Sequence, residues 1–138
     1  QQVLADNGSD LEHVVKTQVF ITDSALFSEF DRVWKEFFPT PPPRTTVEVG
    51  PIGLLVPGTL VEIDVVAVPR DSGTPMEKVE SALQPLANYT PAIRYGDWVF
   101  LAGQLATDFG PDGVPAEARI DPAFPYYGSD IELQTRYT

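Results

Sequence analysis

The sequence predicts an α+β domain built on a mixed, mostly antiparallel sheet of about six strands, with two helices packed on one face. Three observations predict it. Residues 13–21, 44–49, 59–68, 89–95 and 97–105 are short runs rich in β-branched and aromatic residues, bounded by Gly, Pro, Asn or Asp. One segment, 24–38, repeats apolar residues at spacings of three and four instead. A chain of 138 residues fits one domain and buries roughly two thirds of its unfolded surface, enough for a core without covalent staples.

The elements follow in order. Residues 1–8, QQVLADNG, read as the last turns of a helix stopped at Gly8, since glycine enters the left-handed region without steric cost. In the strand 13–21, Val15, Thr17, Val19 and Ile21 share one face, and Val14, Lys16, Gln18 and Phe20 the other. The helix 24–38 places Leu26, Phe30, Trp34 and Phe37 on the sheet, with Asp23 or Ser24 as its N-cap. The run Pro39-Thr40-Pro41-Pro42-Pro43 stops it, because proline lacks the N–H and restricts the residue before it. The strand 59–68, TLVEIDVVAV, is the clearest of all and is expected at the centre of the sheet. Residues 69–87 mix Pro, Gly, Ser and charge and read as a linker with one weak helical turn around Met76 to Leu83. The strands 89–95 and 97–105 form a hairpin turned at Gly96-Asp97. Residues 107–128 read as loop, and Ser129 or Asp130 caps a last helix.

Composition narrows the chemistry. The absence of cysteine excludes disulfides, thiolate zinc sites and cysteine nucleophiles. One histidine, His13, is too few for a multi-histidine metal centre and reads as a surface or capping residue. The net charge of −11, with Lys and Arg scattered singly, makes nucleic acid a poor partner. There is no phosphate-loop or dinucleotide glycine motif. No apolar run approaches the roughly 20 residues that span a bilayer, and the N-terminus has neither a basic region nor a long apolar stretch. A cytoplasmic protein without membrane or nucleic-acid partners is the expectation.

Two segments then resemble the Rid family of enamine/imine deaminases, also called the YjgF or L-PSP endoribonuclease family. Residues 14–68 resemble its C-terminal half: VVKTQVFITD, a helix ending in EFF, then PPRTTVEV and LVEIDVVAV. Residues 89–137 resemble its N-terminal half, YTPAIRYGDWVFLAGQL followed by a helix that begins near ELQTR. The order is reversed, which divides the chain into 1–68 as a C-terminal-half-like segment, 69–87 as linker and 88–138 as an N-terminal-half-like segment. A circular permutant and a middle piece of a tandem two-domain protein both fit. The resemblance implies a chorismate-mutase-like fold and a homotrimer with its sites in clefts between subunits.

Arg44 leads the candidate site residues. Its planar, always charged guanidinium matches a carboxylate, and it follows Pro43 at a strand start. The resemblance makes it the grip on the substrate carboxylate. Glu62 lies within an apolar strand beside Asp64, and is either solvated or held for a purpose; the family pattern associates it with the site, where it would position the attacking water. Tyr89 matches the tyrosine that opens the family's first strand, as a pocket phenol or as an aromatic anchor. Ala102-Gly103-Gln104 stands where many deaminase members carry Ser-Gly-Gln, so a hydroxyl is missing there. Gly103 either admits a ligand close to the backbone or marks a bulge or tight packing.

The resemblance thus implies hydrolysis of reactive 2-imino or enamine acids to 2-oxo acids and ammonia. Arg44, Glu62 and Tyr89 would be catalytic; Arg44, Ala102, Gly103 and Gln104 would bind a small-molecule carboxylate, with no metal and no cofactor. The alternative is a non-catalytic carboxylate-binding or regulatory module of the same fold. RNA cleavage, attached to the family name, sits poorly with the acidic charge.

Overall fold

The computed structural model describes residues 1–50, 53–79, 87–108, 113–123 and 128–138. Part of the expected linker (80–86), part of the expected loop (109–112 and 124–127) and Pro51-Ile52 lie outside the described residues. The chain forms two compact units, Gln1–Gly103 and Gln104–Thr138.

The first unit opens with a short helix, α1 (Gln2–Asp6). Its end is a paired cap: Ser9 N–H donates to the Leu4 carbonyl at 2.9 Å and Gly8 N–H to Ala5 at 3.1 Å, with Gly8 at φ 70°. Strand β1 (Val14–Ile21) follows. Asp23 then accepts from Ala25 N–H at 2.8 Å, and a tight turn leads into helix α2 (Phe27–Phe37). Beyond the prolines, β2 (Arg44–Glu48) pairs parallel with β1, placing Arg44 opposite Thr17. Strand β3 (Val61–Ala67) pairs antiparallel with β1 on its other side. The sheet order is therefore β2-β1-β3.

A second sheet, in the order β4-β5-β6, is antiparallel throughout: β4 (Met76–Val79), β5 (Ala92–Tyr95) and β6 (Trp98–Leu101). Gly96, at φ 56°, turns the hairpin between the last two as expected. The α+β class holds, with the strands divided into two sheets of three.

Four expectations are corrected. The centre of the first sheet is β1; β3 is its edge, because the parallel strand delivered by α2 takes the other side of β1. Residues 76–79, expected in a helical turn, form a strand because β5 offers them a complete antiparallel ladder, Met76 opposite Tyr95 through Val79 opposite Ala92. Phe37 is 51% exposed, and Phe38, just past the helix, is buried in its stead. The register of β1 slips between Val14 and Lys16, so Val14 joins the core beneath α2 while Val15 packs with Val68 and Ile93.

That first core gathers Val14, Val19, Ile21, Trp34 and Phe38, with Leu4, Leu11, Phe27, Phe30 and Ala67 against it. The second unit, taken by itself, contains helix α3 (Asp130–Tyr137), capped by Ser129 Oγ accepting from Glu132 N–H at 3.3 Å. Asp130 also accepts from Ile120 N–H at 2.8 Å. Among the described residues, no helix is long and apolar enough to cross a membrane.

Candidate functional site

The site grows from the proline run. Pro42 and Pro43 are fully buried. Proline has no N–H, so a buried proline leaves no donor orphaned, only carbonyls that need partners. All of these are used: Pro42 accepts from Thr90 N–H at 3.3 Å, and Pro43 from Thr17 N–H at 2.9 Å. The Arg44 carbonyl accepts from Gly103 N–H at 3.2 Å. The main chain at Arg44 is thus fixed between β1 on one side and the segment after β6 on the other.

The Arg44 side chain turns under α2 and is buried, the residue being 4% exposed. A buried guanidinium must be paired, and the partner is Asp31: Nη2 donates to Oδ1 at 2.7 Å. Lys35 Nζ lies 3.4 Å from the other Asp31 oxygen, and Asn88 N–H donates to Oδ1 at 3.4 Å. Three rings enclose the guanidinium, with centroids 5.5 Å (Phe27), 5.2 Å (Phe30) and 5.1 Å (Trp34) from its carbon. Two buried donors in this cluster have no acceptor among the described residues, Arg44 Nη1 and Trp34 Nε1. Burial pushes the Asp31 carboxyl up, but the Arg44 hydrogen bond and charge, with Asn88 and Lys35, outweigh it and hold the group below its ordinary value.

Tyr89 is half-buried. Burial raises its phenol, and the Arg44 charge acts on it in the opposite direction; the next residue, Thr90, donates its N–H to Pro42, two residues before Arg44. Ala102 is buried, its N–H donating to Pro91 at 2.8 Å. Gly103 packs against β2 so closely that a Cβ there would lie 2.9 Å from both Cγ2 and Oγ1 of Thr45. Its lack of a side chain is required by that strand contact. Arg44, Tyr89 and Gly103 therefore gather around the start of β2.

Glu62 does not join them. It is exposed and opposite Phe20, whereas Arg44 is opposite Thr17. Directly paired residues point to the same face, and positions 17 and 20 of β1 point to opposite ones, so Glu62 and Arg44 occupy opposite faces of the sheet. Gln104 belongs to the second unit and is exposed. The groove of about 830 Å³ lined in part by Gln1, Ser9, Asp10, Phe37 and Phe38 contains none of these residues.

Sequence reasoning missed Asp31 and Trp34 as neighbours of the site. Asp31 had a readable signal: it stands four residues after Phe27 and three before Trp34, a carboxylate inside the apolar face of a helix. Lys16 donates to Thr45 Oγ1 at 2.8 Å and to the Leu101 carbonyl, and burial lowers its pKa. Among the described residues no group of three or more His, Cys, Asp or Glu is arranged to hold a metal.

The model of the endoribonuclease L-PSP family matches residues 1–69, half of the chain. The mitochondrial protein mmf2 of Schizosaccharomyces pombe is 43% identical over 67 residues, 48% of this chain and 53% of that protein. Protein DfrA of Myxococcus xanthus is 42% identical over 67 residues, 48% of this chain and 49% of its own length. The chain spans about half the length of the curated relatives it matches. Among solved structures, yeast Mmf1 is 34% identical, with 50% of this chain and 54% of that one covered and a TM-score of 0.46. NMB1025 of Neisseria meningitidis, a YjgF-family member, is 30% identical, with coverages of 51% and 59% and a TM-score of 0.44.

Proposed function

The chain belongs to the endoribonuclease L-PSP family, also called YjgF or Rid, and from that premise we propose that it acts on reactive 2-imino or enamine acids, hydrolysing them to 2-oxo acids and ammonia. The observation that carries this reading is Arg44: a guanidinium fixed at a strand start, caged by aromatic rings, with one buried N–H donor left without an acceptor. Such a group suits a small carboxylate, which can fill both prongs of the fork.

The chemistry asks little more of the protein. Water adds to the C=N carbon, and the resulting carbinolamine expels ammonia and leaves the C=O. Arg44 holds the substrate carboxylate so that the imine carbon is presented in one orientation. Tyr89, close to the Arg44 charge, supplies a phenol that donates to substrate or water. Glu62 orients the attacking water. Because Glu62 and Arg44 lie on opposite faces within one chain, this role requires Glu62 from a neighbouring copy, consistent with a homotrimer whose sites lie between subunits. Ala102 and Gly103 would line the carboxylate end. No cofactor has a role in this scheme, and the reading keeps the protein cytoplasmic. The two family-like segments, 1–68 and 88–138, are read as halves in reversed order around a linker.

A second reading, a carboxylate-binding module without turnover, is favoured by one observation: Ala102 is buried where a hydroxyl would stand in many deaminase members. One experiment separates the two. Ammonia release from 2-iminobutanoate, generated in situ, is accelerated by the wild-type chain and not by Arg44→Ala. Arg44→Lys keeps the charge but loses the fork, and should retain little of the acceleration. No acceleration by wild type, with 2-oxobutanoate still binding, would establish the module.

A further inference from the structure

The partner that Arg44 already has is itself a carboxylate. Asp31 binds it through one prong only: Nη2 meets Oδ1 at 2.7 Å, while the second Asp31 oxygen turns to Lys35 and Nη1 stays buried without an acceptor. A ligand carboxylate in fork geometry would satisfy both prongs, so it holds an advantage over Asp31 at the same guanidinium. It cannot simply be added. With Arg44 and Asp31 ionised the buried cluster is balanced, and a second carboxylate would leave an uncompensated negative charge in a poorly solvated place. The groups facing Asp31 do not remove that excess: Lys35 is more than half exposed, and Asn88 offers a neutral N–H.

We infer that Asp31 is an internal competitor of the ligand at Arg44, a specificity-determining residue that must give up its ion pair before a carboxylate can be held there. This rests on the proposed carboxylate site at Arg44. It makes Asp31 a threshold: weak or monodentate anions fail to displace it, and only ligands able to take both prongs succeed. Asp31 also keeps the cation from standing unpaired in its aromatic cage when no ligand is present.

The test uses the full chain and 2-oxobutanoate as the probe. Binding is measured by calorimetry for wild type, Asp31→Asn and Arg44→Ala. Competition predicts that Asp31→Asn tightens binding by about tenfold or more. A residue that only positions Arg44 would show the opposite sign, and weaker or unchanged binding in Asp31→Asn overturns the inference. A second readout needs no variant to fold: the Asp31 carboxyl carbon is titrated by NMR in the wild-type chain with and without saturating probe. If Asp31 loses the guanidinium, its pKa moves up towards the ordinary carboxylate value on binding; an unmoved or lowered pKa overturns the competition. Binding that survives Arg44→Ala, or no binding in wild type and Asp31→Asn alike, defeats the carboxylate site itself and the inference with it.

Discussion

Strands β1 and β3 are neighbours in one sheet and similar in apolar content, yet they differ almost completely in burial. In β1, Val14, Val15, Thr17, Val19 and Ile21 are all buried. In β3, every residue from Val61 to Val66 is exposed, including Val61, Ile63, Val65 and Val66. The cause is position. β1 has a strand on each side and α2 over one face; among the described residues β3 has a single neighbour and no helix of its own. The difference teaches that hydrophobic content does not by itself place a strand within its sheet. An apolar edge strand is a liability unless something covers it, and the proposed inter-subunit site at Glu62 would do so.

The largest effect that would sharpen this contrast is Trp34→Ala. Trp34 stacks on Phe38 at a centroid distance of 4.2 Å and closes the buried side of β1. Its loss should cost about 3–5 kcal/mol in chemical denaturation. A loss under about 1 kcal/mol would mean that the α2-covered face is not the principal core. Next comes Gly103→Ala, which forces a Cβ into Thr45 and should cost about 1–3 kcal/mol. Combining it with Thr45→Ala should recover part of that, because the two atoms at 2.9 Å are then gone. The smallest effect is expected on β3: Ile63→Thr should change the stability of a single copy by no more than about 0.5 kcal/mol, while sedimentation shows weaker self-association. A large stability loss with unchanged sedimentation would show that β3 is covered from within its own chain.

Much of the first unit was legible in residue order. β1, α2, β2, β3 and the β5–β6 hairpin lie where alternation, helical spacing and turn residues put them. β4 was not legible, because Met76-Glu77-Lys78-Val79 carries no alternation of its own and becomes a strand only through its ladder with β5. The rank of β3 as centre or edge was equally hidden, since pattern reports propensity and not neighbours. At the site, Arg44 is marked by the prolines before it and Asp31 by its place on an apolar helix face, but nothing in residue order pairs the two, and Phe38 takes the burial expected of Phe37. A charged residue on an apolar helix face needs an opposite charge from elsewhere in the chain, and spacing within the helix cannot name which one.

The parallel pairing of β1 with β2 has a further consequence, in time rather than space. Parallel neighbours need a crossover, and α2 supplies it within residues 14–48. Arg44, Asp31 and the three enclosing rings all belong to that one stretch. Because closing short loops costs less entropy than closing long ones, β1, α2 and β2 can assemble before β3 joins from across the intervening turns. During synthesis the caged arginine would then be in place early, and the contact of Gly103 with β2, made by a segment emerging much later, would lock a geometry already formed.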